Sequence, residues 1–418
     1  MSEYARPPVP ERSGLVARWR AIPLYVRIVA GLILGTATGV IFGAGAAPLI
    51  IPARLVLRLL GALAPALILF AVLRALISAE LRGAMAARLV GLLSLNTLVA
   101  IGIGLLVANL LQPGATGNLH PLGAEASGAA PANPLMQLLE NITKSLLGPL
   151  GDGGKVIGVI FLAVAFGVAL RRSKDRPLAR VVDLIEIIFD ALVTILLWVI
   201  DLVPIAVFCV VASIVGSKGF AAFASLGAFV GAVLLALVLQ TAYYLTRVAL
   251  LSWVSPRHLL RGGRDALVMA FSTASSTATM PVTYACLRDK VGLRDRSASM
   301  GALVGANFNN DGTALYEAMA ALFVAQALGM DLDLSAQLMV VLMSVVASVG
   351  AAGIPEAGLV TMTMVFKAVA LPTDYIAVLL TVDWFLDRCR TTINVMGDMN
   401  VSCLLDGRER EQRAATTP

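Results

Sequence analysis

Ser348-Val349-Gly350-Ala351-Ala352-Gly353-Ile354-Pro355 interrupts an otherwise apolar stretch, with Leu334–Ala347 before it and Ala357–Ala370 after it. Each arm falls well short of the roughly 20 apolar residues that a helix needs to cross a bilayer. The pair therefore reads as a re-entrant hairpin, which enters the membrane and turns back. The same pattern occurs earlier, where Leu259–Ser272 and Thr277–Leu287 flank the small polar tip Thr273-Ala274-Ser275-Ser276. Non-helical backbone at membrane depth persists only where protein or a water-filled cavity satisfies it. Paired segments broken by Gly and Pro in corresponding halves of a chain point to a transporter's binding site. Each hairpin also leads into a segment bearing Asn and Asp, first Asn309 and Asp311, then Asn394 and Asp398. This recurrence predicts inverted repeats that enclose one site.

Composition agrees with a lipid-solvated chain. Of 418 residues, 58% are hydrophobic and 14% charged, against roughly 25% charged in soluble proteins, and the mean hydropathy is +0.86. Tyr25–Gly43, Leu55–Ala79, Leu89–Leu111, Val156–Leu170, Val181–Val211 and Phe223–Val254 are the clearest spanning runs, with no sizeable soluble domain left over. The expected fold class is an all-α polytopic membrane protein. Met1–Arg20, polar and rich in Arg and Pro, reads as a tail and not a cleavable leader. Cys209, Cys286, Cys389 and Cys403 lack metal-ligand spacing and read as ordinary thiols.

Basic residues set the orientation. Arg6, Arg12, Arg18 and Arg20 precede the first span, and Arg408, Arg410 and Arg413 follow the last, which places both termini in the cytoplasm. Arg257, Arg261, Arg264, Arg288, Lys290, Arg294 and Arg296 bracket the first hairpin and put its base inside. Asp331 and Asp333 predict that the second hairpin enters from outside. No Lys or Arg occurs between Arg88 and Lys144, so the Gly/Ala/Pro-rich loop Pro113–Pro134 should be external and flexible. The net charge of +6 is mostly this bias, and it does not indicate a nucleic-acid partner.

The last span, Asp374–Leu405, carries the strongest chemical signal. Asp383, Asp387, Arg390, Thr391, Asn394 and Asp398 follow helical spacing on one face. Each charge at bilayer depth costs roughly 2.5–3.5 kcal/mol on insertion scales, so such residues face a cavity or one another. A zwitterion with an acidic side chain fits this set, with Asp387 taking the ammonium and Arg390 the side-chain carboxylate. A buried ion-pair network without ligand is the alternative. A second signal is Asn307-Phe308-Asn309-Asn310-Asp311-Gly312-Thr313, whose polar residues and glycine predict an unwound helix with oxygens facing a cation. Its likeness to a calcium loop fails at the twelfth position, Ala318. Glu317 reads either as a proton carrier or as a structural hydrogen-bonder.

Two chemistries lack a seat. Gly148–Lys155 departs from the phosphate-loop spacing, so there is no place for ATP hydrolysis. The two histidines, His120 and His258, fall in a loop and at an edge, which argues against a hydrolase built on Ser275 or Ser276.

From about Tyr25 to Leu405 the sequence resembles the glutamate/aspartate transporter family, the dicarboxylate/amino acid:cation symporters. The likeness rests on Ser275-Ser276-Thr277-Ala278-Thr279-Met280-Pro281, on Asn310-Asp311-Gly312-Thr313-Ala314-Leu315-Tyr316-Glu317 and on Gly350-Ala351-Ala352-Gly353-Ile354-Pro355. Asp383-Trp384-Phe385-Leu386-Asp387-Arg388-Cys389-Arg390-Thr391 and Asn394-Val395-Met396-Gly397-Asp398 complete it. The resemblance implies eight transmembrane helices plus two re-entrant hairpins in a homotrimer working as an elevator. It implies a cytoplasmic tail over 1–24, scaffold helices in 25–80 and 135–213, a transport-domain helix in 88–112 and the external loop at 113–134. The transport domain would occupy 222–407, with hairpins at about 259–288 and 334–370 and helices at about 297–326 and 374–405, before a tail at 408–418. The implied function is import of L-aspartate or L-glutamate, coupled to Na⁺ or H⁺ across the inner membrane of a prokaryote. A C4-dicarboxylate:proton symporter and a carrier with associated anion conductance are the alternatives. No cofactor is expected.

The resemblance further implies substrate contacts from Ser275, Ser276, Thr313, Ile354, Gly358, Asp387, Arg390, Thr391 and Asn394. Sodium would use Gly305, Asn309, Asn394 and Asp398 at one position, and Ser348, Val349 and Ala351 at another. Asp311, with Asn96 and Thr97 in the third span, completes the cation set, and Glu317 would carry a proton. Arg388 together with Ala274 is similar to the animal branch. Four positions depart from the pattern: Asn310 stands where the family has methionine, Asn307 where it has threonine, and Leu93 and Asn96 where it has tyrosine and threonine. All lie near cation positions, and an amide can close such a position without an ion.

Overall fold

The computed structural model describes residues 22, 24–78, 83–115, 156–172, 179–218, 221–350 and 357–408, and among these there is no strand. Among the described residues, seven helices fill the first part: α1 (Leu24–Phe42), α2 (Ile50–Ser78), α3 (Gly83–Leu111), α4 (Val156–Arg172), α5 (Ala179–Ile200), α6 (Val203–Lys218) and α7 (Ala221–Leu251). Four stretches of the described residues are long and apolar enough to cross a membrane: Val26–Val56, Ala87–Leu111, Arg180–Ser217 and Ser225–Leu251. The run read as one span over Val181–Val211 is two helices. Backbone turns at Asp201 and Leu202 separate them, just before Pro204, which lacks an N–H and suits the first turn of α6. Arg27 of α1 ties this break down through a 3.1 Å ion pair with Asp201.

Small residues bring α1 against α6. A Cβ at Gly31 would lie 2.5 Å from the Pro204 carbonyl oxygen, at Gly35 2.6 Å from that of Phe208, and at Gly39 2.7 Å from the Val215 Cβ. Glycine at every fourth residue lets the backbones touch where lipid offers no hydrophobic drive for association. α2 packs on α4, α5 and α6.

The second part is built from shorter pieces. α8 (Pro256–Thr273) and α9 (Ser276–Ala285) fold back on each other across Ala274 and Ser275. Ser255 caps α8 and Ser275 caps α9, each accepting a backbone N–H from three residues on. Ala274 closes α8 with φ 51°, the left-handed conformation usual after a helix end. α9 ends in a π-helical turn, Cys286–Val291. α10 (Asp295–Ser299) and α11 (Gly305–Phe308) flank a second π-helical turn, Met300–Val304. α12 (Asp311–Ala327) is buried along nearly its whole length. α13 (Leu334–Gly350) and α14 (Ala357–Ala368) form the second folded-back pair, and α15 (Ile376–Asp406) follows. α3 packs on α12 and α7, while α15 contacts α7, α8, α12 and α6. The loop expected at 113–134 lies outside the described residues beyond Ala115, as do the tip residues Ala351 and Ile354 and most of both tails.

Candidate substrate and cation site

Helical spacing on α15 points one polar row inward: Asp383, Asp387, Arg390, Thr391, Asn394 and Asp398 are all buried. Arg390 is fully enclosed. Its Nη2 lies 2.9 Å from Asp387 Oδ1 and 3.0 Å from Asp383 Oδ1, and its Cζ sits 4.0 Å from the Tyr316 ring centroid. Two carboxylates and an aromatic face thus hold one end of the guanidinium. Among the described residues, Nε and Nη1 have no hydrogen-bond partner. Buried unpartnered donors are costly, so this open edge is where an anionic group would bind.

Three other elements bound that edge. Gly358, in the first turn of α14, has no side chain toward it. A Cβ there would come within 3.0 Å of Thr313 Cγ2 and 3.5 Å of Arg390 Nη1. Thr313 is near Asn394, whose Nδ2 lies 3.4 Å from the Thr313 hydroxyl and 3.3 Å from Asn310 Oδ1. At the first tip, Ser276 donates to the Ala306 carbonyl at 3.1 Å, while Ser275 is engaged as a helix cap. Arg388 donates to the Phe271 and Ser272 carbonyls at 2.9 and 2.5 Å. It thereby satisfies acceptors that the end of α8 leaves free and fastens the tip to α15.

Beneath this pocket the chain leaves helical conformation at Asn309 (φ −95°, ψ 86°) and Asn310 (φ −114°, ψ 45°). Asparagine tolerates such breaks because its side chain competes for backbone partners. Asn309 Nδ2 donates to the Asn394 carbonyl and to Asp398 Oδ1, both at 2.9 Å. Asn309 Oδ1 is buried without a partner among the described residues. Gly305 admits Asp398, since a Cβ there would lie 2.5 Å from Asp398 Oδ1. This cluster of a carboxylate, a carbonyl and an orphaned amide oxygen suits a hard cation. The neighbouring position differs. Asn310 donates its amide to the Ser348 carbonyl at 2.9 Å, so an N–H already satisfies an oxygen assigned to a second cation. Val349 lies in the last turn of α13, and Ala351 is outside the described residues. Asn307 spends its amide on the Leu303 carbonyl of the preceding π-helical turn, at 3.1 Å.

Asp311 accepts from the Thr97 hydroxyl at 2.6 Å and from Tyr244. Asn96 accepts from Arg247. Glu317, fully buried, accepts from Thr361 of α14, and its second oxygen is unpartnered. The roles of Tyr316, Tyr244, Arg247 and Thr361 escaped the sequence reading, while the pairing of Asp383 with Arg390 matches the ion-pair alternative. The only available signals were a lone arginine in the apolar run of α7 and the helical register of Asp383 with Asp387.

Gly312 sets the spacing of α12 on α15. Its amide donates to Asn394 Oδ1 at 2.8 Å, and a Cβ would meet the Arg390 carbonyl oxygen at 2.7 Å and its Cα at 3.0 Å. Backbone cannot yield as a side-chain tip does. Gly312→Ala is therefore expected to destabilise the protein by about 1–3 kcal/mol, read as a lower melting temperature in detergent. An unchanged melting temperature would show that the two helices separate freely.

A buried charged pocket between broken helices, beside long apolar ones, defines a multi-pass membrane protein of the transporter class. The profile of the sodium:dicarboxylate symporter family matches residues 24–408, and the chain belongs to that family. It is 38% identical over 250 residues to excitatory amino acid transporter 2 of Homo sapiens, covering 59% of this chain and 43% of that one. It is 34% identical over 283 residues to excitatory amino acid transporter 3 of Mus musculus, covering 66% and 53%. Over 301 residues it is 36% identical to excitatory amino acid transporter 4 of Rattus norvegicus, covering 67% and 53%. The chain spans about half the length of the curated relatives it matches. The family and these relatives are transporters, in agreement with the lack of a seat for ATP hydrolysis or a catalytic triad.

Proposed function

We propose that the chain is a symporter that imports acidic amino acids, aspartate or glutamate, on a cation gradient. The observation that carries this reading is Arg390, a buried guanidinium with two donors open and a carboxylate at its side. The open Nε–Nη1 edge would take the substrate's side-chain carboxylate in a forked pair. Asp387 would take the ammonium, with Asp383 left to balance Arg390. Thr313, Thr391 and Asn394, the Ser275-Ser276 tip and the Ile354–Gly358 segment would close round the rest.

For coupling, the Asn309–Asp398 cluster would hold one sodium ion, supported by its orphaned amide oxygen. The Asn310 bond to Ser348 supports a shallow sodium dependence, and Glu317 offers a buried carboxyl for protons. The remaining features of the proposal follow family membership: eight spans with two re-entrant hairpins, inverted repeats, elevator motion, a homotrimer, and the inner membrane of a prokaryote with both termini cytoplasmic.

A C4-dicarboxylate cargo is the second reading, favoured by one contact. Asp387 is already engaged by Arg390, and in that role it would need no ammonium. Calorimetric titration of the purified protein separates the two. Aspartate is expected to bind at least roughly a hundredfold more tightly than succinate, since succinate leaves a buried carboxylate uncompensated. Equal affinities would assign the pocket to dicarboxylates.

A further inference from the structure

α7 holds one charged side chain in its 31 residues, Arg247. Arg247 is buried, and an arginine inside an apolar bundle needs acceptors around it. Its Nη1 donates to Asn96 Oδ1, and its Cζ lies 5.3 Å from the Tyr243 ring centroid. The adjacent residues, Thr97 and Tyr244, donate to the two oxygens of Asp311. Asn400 completes the ring: Asn96 Nδ2 lies 3.5 Å from Asn400 Oδ1, and Asn400 Nδ2 donates to the Tyr244 carbonyl at 2.9 Å. Cation and carboxylate thus stand on either side of a wall made by Asn96-Thr97 and Tyr243-Tyr244, and unlike charges that close in a low-dielectric interior attract.

This arrangement does not fit a free ion at Asn96, Thr97 and Asp311. A coordinated cation needs oxygen lone pairs directed at it. Here the Asn96 oxygen is committed to a guanidinium, and both Asp311 oxygens accept hydroxyl hydrogens. The contrast is Asn309 Oδ1, which has no partner among the described residues. We propose that Arg247 is a tethered stand-in for one coupling cation, its guanidinium neutralising the Asp311 cluster that would otherwise draw an ion from solution. The proposal rests on the symport reading, and it makes the chain couple one cation fewer than its three candidate positions allow. A charge fixed to the protein contributes to the substrate-binding conformation at any sodium concentration. Only ions taken from solution contribute to the linkage between sodium and aspartate.

The test is aspartate affinity of the full-length purified protein, measured by calorimetry at several sodium concentrations with choline as replacement. The parent is expected to show a logarithmic slope of about 2 or less. Arg247→Met should weaken binding at low sodium by roughly tenfold and steepen the slope by about 1, because an ion must now fill the vacated charge. Arg247→Lys keeps the charge and should keep the parental slope. A folded R247M with the parental slope overturns the proposal. If R247M does not fold, the parent decides, and a slope near 3 would overturn it. If the parent binds no aspartate, the symport reading fails on its own. Arg247 is then judged by melting temperature without substrate: sodium should stabilise R247M more than the parent, and equal responses would sink the idea.

Discussion

Arg390→Cys is expected to lower aspartate affinity at least a hundredfold while the protein still inserts and folds. The guanidinium is fully buried, and its Nε and Nη1 have no partner among the described residues. Removing one partner of a buried ion pair costs about 3–5 kcal/mol, mostly because the other charge is left uncompensated. At about 1.4 kcal/mol per tenfold, that exceeds two decades in affinity. The shortened side chain would also free the space that Gly358 and Thr313 border, so small neutral amino acids are expected to bind where they did not before. Calorimetry with aspartate and with serine checks both halves. Undiminished aspartate binding would remove Arg390 from the site.

Asp387→Asn is expected to abolish aspartate binding by a comparable factor with less effect on folding. An asparagine carbonyl can still accept from Arg390, and Asp383, 3.0 Å from the same nitrogen, keeps the guanidinium neutralised. The substrate's ammonium, in contrast, would be buried with no anion beside it. Succinate carries no ammonium, so its binding should fall far less. Parallel titrations with both ligands give the readout, alongside a melting curve. Equal losses for the two ligands would mean that Asp387 supports Arg390 and does not meet the ammonium.

Much of the architecture was legible in the sequence because lipid permits so little. Apolar runs must be helices, and the breaks at Thr273–Ser276 and Asn309–Asn310 stand out against them. The row from Asp383 to Asp398 was legible for the same reason, since no other arrangement hides so many polar groups on one span. What stayed hidden were partners brought in from other helices. Nothing in the spacing of α7 shows that Tyr244 reaches Asp311 or that Arg247 reaches Asn96, because both contacts span more than sixty positions. The turn at Asp201-Leu202 was masked by continuous hydrophobicity, although Pro204 marked it. Asn310 is the instructive case. Its identity alone left open whether it offers an oxygen or an N–H, and the structure engages both, the N–H on the Ser348 carbonyl and the oxygen facing Asn394 Nδ2.

The most direct test of acidic amino acid symport is uptake of labelled L-aspartate into proteoliposomes, with inward sodium and proton gradients imposed separately and together. Accumulation above the outside concentration under at least one gradient, abolished in Arg390→Cys, is the expected result. A sodium gradient should act with low stoichiometry, and a proton gradient should contribute. Equilibration without accumulation under every gradient, or current without tracer movement, would contradict a cation-coupled carrier and leave a channel.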